Sequence, residues 1–144
     1  MNLTLAKPLD YLRYSLGIIY LWFGLLKFFP GFSPAESLVM KTVDMLSFHQ
    51  MSGKIGLTLI AVWEVTLGIC FMINQCKKPV LILYFIHLLG TFTPLFILPD
   101  ISFQYPPVGF TLVGQYIVKN LVFVVGGWML WKKNEWQMSL GHNE

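Results

Sequence analysis

One carboxylate stands in the middle of a long apolar run. In LTLIAVWEVTLGICFMI, Leu57 to Ile73, Glu64 is the sole charged residue. Two other ionisable groups occupy comparable settings: His87 in VLILYFIHLLGTFTPLFIL and Lys119 in TLVGQYIVKNLVFVVGGWMLW. A carboxylate, an imidazole and an ammonium can hold and pass protons between them, or donate to a ligand oxygen. Two bases to one acid favours an anionic or carbonyl-bearing ligand over a metal cation. A metal centre needs more His, Cys, Asp or Glu ligands than these segments supply. Haem held by paired histidines would need an intramembrane partner for His87, and there is none.

The elements that must position these groups are apolar helices. Of the 144 residues, 56% are hydrophobic and 12% charged, the latter about half the share in an average soluble chain. Four stretches have the length of a bilayer crossing, about 20 residues: residues 11–29, 55–73, 80–98 and 111–131. They take up most of the chain, so the expectation is one integral membrane domain over residues 1–144. The fold class expected is all-α, a four-helix transmembrane bundle. The first stretch does not read as a cleaved signal peptide. Arg13 and Lys27 flank it, and no small-x-small site follows.

The distribution of charge says more than its sum of +3. Lys7, Arg13, Lys77, Lys78, Lys132 and Lys133 fall on one side of a four-span arrangement. Lys27, Lys41 and Lys54 fall on the other, and the Pro99–Phe110 loop has no base. The positive-inside rule then puts both termini in the cytoplasm. Trp128, Trp131 and Trp136 would sit at that interface. No basic cluster points to nucleic acid. Cys70 and Cys76 are too few and too far apart for a disulfide framework, and no CxxC is present, so both read as unpaired structural thiols.

Between the first two spans, FSPAESLVMKTVDMLSF reads as a short amphipathic helix over about residues 34–47. Ser33, Pro34 and Glu36 suggest a capping box with proline at the first position. Ala35, Val39, Val43 and Leu46 form its apolar side, which either lies on lipid or packs over the spans. The short turn NQCKKP makes spans two and three antiparallel neighbours. LPDISFQYPPVG, with three prolines, is expected to be irregular, and Phe103 and Tyr105 could fold over the bundle as a lid.

Each span also carries a stripe of small and polar residues. These are Arg13, Gly17, Tyr20, Gly24 and Lys27 on the first and Ala61, Glu64 and Gly68 on the second. The third has Tyr84, His87, Thr91 and Pro94; the fourth has Leu112, Gln115, Tyr116, Lys119 and Gly126. Small residues let membrane helices approach, and polar ones belong inside the bundle. Glu64 lies about nine residues from Ile55, or about 13 Å deep at 1.5 Å per residue. His87 and Lys119 fall at similar depth. An unpaired charge there costs about 2.5–3.5 kcal/mol. The expected partner of Glu64 is therefore Lys119, with His87 and Gln115 completing the network. Lys27 is expected nearer the outer interface, within snorkelling reach. Such a pair either lines a ligand or proton site or fixes helix register alone.

The segment RYSLGIIYLWFGLLKFFPGFSPAESLV, Arg13 to Val39, resembles the first span and following segment of DoxX-like membrane proteins, the YkgB-like branch included. The carriers are Arg13, Gly17, Phe23, Gly24, Lys27 and Phe28, then SPAE at 33–36. Glu64 with Gly68, TFTP at 91–94 and GQYIVKNLVF at 114–123 are similar to the same family, so the likeness runs over essentially the whole chain. It implies a four-span bundle of the cytoplasmic membrane and a subunit of a quinone-linked oxidase or thiosulfate:quinone oxidoreductase. The residues expected from the stripes to form a ligand site are Lys27, Glu64, His87, Gln115 and Lys119. Quinone would be the ligand, with electrons coming from a partner in a membrane redox complex, since the chain has no cofactor signature of its own. A non-enzymatic accessory subunit, a homo-oligomer, or a lipid- or cargo-binding protein is the alternative. A transporter is a third reading, for which four spans leave little room.

Overall fold

In a computed structural model of the protein, residues 3–140 are described, with the side chains of residues 7–136. The chain is all-α in class. Helix α1 runs Leu3–Leu26, α2 Glu36–Leu46, α3 Gly53–Met72 and α4 Lys78–Phe92. Two single turns follow, α5 (Pro94–Ile97) and α6 (Pro99–Ser102). A two-stranded ribbon comes next, β1 (Phe103–Tyr105) and β2 (Gly109–Phe110), then α7 (Leu112–Val118) and α8 (Leu121–Leu140).

Three helical segments are long and apolar enough to cross a membrane: Gly53–Met72, Lys78–Ile97 and Leu112–Trp136. Helix α1 is long enough at 24 residues, but Lys7, Asp10 and Arg13 in its first half dilute its apolar run.

The four long helical elements pack in a closed ring: α1 on α3, α3 on α4, α4 on α8 and α8 back on α1. Their shared core is Leu16, Tyr20, Leu67, Phe71, Leu81, Tyr84, Leu88 and Leu130. The tightest approach joins α1 to α3. A Cβ at Gly68 would lie 2.7 Å from the backbone nitrogen of Leu21. A Cβ at Gly24 would lie 2.9 Å from the backbone nitrogen of Val65. Only glycine permits backbones this near.

Helix α2 docks on the start of α3, with Val43 against Gly56 and Met40 against Gly53. The expected apolar side is only partly the packed one. Thr42 is the buried residue of α2, and its hydroxyl is satisfied by the Leu38 carbonyl at 2.7 Å. Leu46 faces outward. The expected capping box does not form. Ala35 occupies the N-cap, and Glu36 instead accepts from the Gly31 backbone N–H at 2.7 Å.

The proline-rich loop is more ordered than expected. Ser102 is fully buried and donates to the Pro94 carbonyl at 3.0 Å, and the Thr111 N–H bonds the Ser102 carbonyl at 3.0 Å. Those bonds hold the ribbon, where Phe103 pairs with Phe110. Tyr105 points outward, so it forms no lid.

The last apolar stretch is not one regular helix. At Lys119–Asn120 the i−4 pattern gives way to i−3 bonds: Asn120 to Ile117, Val122 to Lys119 and Phe123 to Asn120. That break changes which residues face inward.

Candidate functional site

Glu64 reaches the bundle interior from the middle of α3, and its two carboxylate oxygens take different partners. Lys27 Nζ donates to Oε2 at 2.5 Å. His87 Nε2 lies 3.2 Å from Oε1. On the far side of the imidazole, Tyr20 Oη stands 3.2 Å from Nδ1. One neutral tautomer satisfies the whole chain: Tyr20 O–H donates to Nδ1, and Nε2–H donates to Glu64. Lys27, Glu64, His87 and Tyr20 are all less than a tenth exposed.

Local structure explains how a lysine reaches that depth. Lys27 follows the last residue of α1 and continues its line through a turn, Lys27 N–H to the Gly24 carbonyl at 3.2 Å. Its ammonium also donates to the Phe23 carbonyl at 3.2 Å. A Cβ on Gly24 would sit 3.0 Å from the Glu64 Cβ, so that glycine brings α1 close enough for the pair. His87 is oriented by aromatic neighbours. Its ring centroid is 5.3 Å from Tyr20 and 5.9 Å from Trp63, both edge-on. Tyr84 backs Tyr20 at 5.3 Å and donates its hydroxyl to the Phe123 carbonyl at 2.7 Å. Trp63 supplies the loose end: its indole N–H is buried and has no hydrogen-bond partner.

The expected Glu64–Lys119 pair is absent. Lys119 is exposed, with its ammonium 3.8 Å from the centroid of the Tyr116 ring. Gln115, Tyr116 and Leu112 also face outward. The break at Lys119–Asn120 is the reason. Among the described residues, those that α7 and α8 bury are Gly114, Ile117, Gly126, Gly127 and Leu130, a set that shares only Gly126 with the continuous stripe expected. The first two stripes are as expected, with Arg13, Gly17, Tyr20 and Gly24 buried on α1, Lys27 buried just after its end, and Ala61, Glu64 and Gly68 buried on α3. The α1 spacing, continued one residue past its end, was thus the signal for Lys27, which takes the place expected for Lys119 as the cation paired with Glu64. Tyr84 and His87 on α4 and Pro94 at the start of α5 are buried, and Thr91 is half-buried. No spacing rule singles out Trp63, which neighbours Glu64 in sequence.

A second polar cluster lies at the opposite end of the ring. The last carbonyls of a helix have no partner within it. Arg13 meets this need at the end of α3, donating through Nη1 to the Phe71 carbonyl and, at 3.1 Å, to that of Met72. Asp10 accepts from Lys133 at 2.7 Å, tying α1 to α8. Asn134 donates to the Cys76 carbonyl. Cys70 and Cys76 are free thiols, and burial pushes the Cys76 thiol up to about 11. Among the described residues, no three His, Cys, Asp or Glu side chains gather as metal ligands.

No protein-family model, curated protein or solved structure matches this chain.

Proposed function

We propose that this is a four-span, DoxX-like protein of the bacterial inner membrane with both termini in the cytoplasm, working as the quinone-associated subunit of a membrane redox complex. The single observation that supports this reading most is the buried chain Lys27–Glu64–His87–Tyr20, flanked by the unpartnered indole N–H of Trp63. Intramembrane ionisable groups are functional by default, and here three lie in one connected line.

The residues present suit a quinone. Such a ligand presents two carbonyl oxygens that accept hydrogen bonds and take up protons on reduction. The Trp63 N–H is a buried donor awaiting an acceptor. Glu64 holds a proton-accepting carboxylate between an ammonium and an imidazole. His87, bonded on both ring nitrogens, can take a proton at one and release it at the other. Tyr20 and Lys27 end the chain on opposite sides, so the chain's own groups can pass a proton along it. Electrons would come from a partner protein.

One specific observation favours a second reading, an accessory subunit in which the chain only fixes helix register. Both carboxylate oxygens of Glu64 are already paired within the protein. Mass spectrometry of small molecules extracted from gently purified protein separates the two. A prenylated quinone retained by wild type and lost in Glu64→Gln supports the quinone role. Bulk phospholipid alone in both samples supports the accessory role.

A further inference from the structure

At the end of the bundle where α1 begins and α8 finishes, an open groove of about 850 Å³ runs between the two helices. Leu9, Leu12, Trp128 and Met129 give it apolar walls, and Lys133 stands at its edge. Lys133 is also a wall of a second, polar pocket of about 230 Å³, which Arg13, Lys77 and Asn134 line with it. Lys133 is therefore a shared wall, with the apolar groove on one side of it and the polar pocket on the other.

Three observations say what would fill them. Arg13 is 4% exposed, and its Nε is buried without a hydrogen-bond partner, 3.7 Å from the nearest oxygen of Asp10. A buried guanidinium N–H without an acceptor is costly, and an anionic oxygen would satisfy it. The pocket also has an excess of positive charge: Arg13, Lys77 and Lys133 line it, and no carboxylate does. Finally, the acids nearby are already engaged. Asp10 is held by Lys133 at 2.7 Å, and Glu135 by Lys132 at 2.9 Å and Trp131 at 2.8 Å. No carboxylate is left over for the ammonium of a zwitterionic headgroup.

We propose that the pocket and groove together bind one anionic phospholipid. Its phosphodiester oxygens meet Arg13, Lys77 and Lys133, and an acyl chain lies along the groove against Leu12 and Trp128. Basic pockets between membrane helices are suited to such headgroups. The adjoining apolar groove is what selects a lipid over a soluble anion. This site is at the opposite end of the ring from Glu64 and stands or falls independently of the quinone reading.

Native mass spectrometry of the full chain, released from nanodiscs of equimolar phosphatidylglycerol and phosphatidylcholine, tests it. Wild type is expected to retain phosphatidylglycerol about tenfold over phosphatidylcholine, and Lys77→Gln/Lys133→Gln to lose most of that preference. Lys41→Gln/Lys54→Gln removes the same charge elsewhere and is expected to keep it. Because Lys133 also holds Asp10, Lys77→Gln alone, at an exposed residue, is the variant to read if the double replacement unfolds. It is expected to cost about threefold in preference. Equal retention of the two lipids by wild type overturns the proposal. So does an unchanged preference in Lys77→Gln, or an equal loss in the Lys41/Lys54 variant. Competition by deacylated glycerophosphoglycerol as effective as that of the intact lipid would assign the pocket to a soluble anion and overturn the lipid reading.

Discussion

Lys27 and Glu64, 37 residues apart in sequence, meet through a 2.5 Å contact that joins the end of α1 to the middle of α3. Each is more than nine-tenths buried. Removing one partner from a buried pair strands the other, whereas removing both does not. Glu64→Gln or Lys27→Met alone is expected to cost about 3 kcal/mol of stability. Lys27→Met/Glu64→Gln is expected to recover most of that loss. Thermal unfolding of the four proteins in one detergent reads the cycle, and strictly additive losses would mean the two side chains do not act as a pair.

The glycines that bring α1 to α3 lead to a second expectation. Gly68→Ala places a methyl 2.7 Å from the backbone of Leu21, and Gly24→Ala places one 2.9 Å from that of Val65. Backbone cannot swing aside as a flexible side chain can, so each is expected to destabilise by about 1–3 kcal/mol. Gly90→Ala meets open space in α4 and is expected to be neutral or to stabilise by up to about 1 kcal/mol. Unfolding midpoints check all three, and a Gly68→Ala variant as stable as Gly90→Ala would contradict the close crossing.

Lys119 marks what was not legible in the sequence. Its depth within an apolar run matches that of Glu64, and periodicity alone would turn it inward. Periodicity assumes one unbroken helix, and the i−3 bonds around Asn120 break that assumption. Composition and length, by contrast, carry the helical class and the three helices long and apolar enough to cross a membrane. The α1 stripe carries Lys27, because α1 is regular from Leu3 to Leu26. The ribbon was hidden because its order comes from Ser102 and Thr111 bonds, which no local pattern announces. The expected consequence is that Lys119→Gln changes stability by no more than about 0.5 kcal/mol. A loss comparable to that of Lys27→Met would return Lys119 to the site.

The Asp10–Lys133 pair predicts a pH effect. The hydrogen bond from Lys133 holds the Asp10 carboxyl below its ordinary range. A carboxyl lowered in the folded state contributes stability fully above its unfolded pKa, about 3.9. That contribution fades as pH falls through the folded value. Asp10 is 42% exposed as a side chain, so screening limits the contribution to about 1 kcal/mol or less. The gap in unfolding midpoint between wild type and Asp10→Asn is therefore expected at pH 6, to shrink by pH 3, and to narrow at high salt. A gap that widens on acidification would contradict the pairing.

The most direct test of a chemical role for the buried chain is the quinone content of the Lys27→Met/Glu64→Gln protein, measured by extraction and mass spectrometry beside wild type. This variant has no stranded charge, so its fold is expected to persist. The expected result is a stable protein that has lost a quinone the wild type retains. A double variant holding as much quinone as wild type would contradict the role of Glu64 and Lys27 and leave the pair as packing alone.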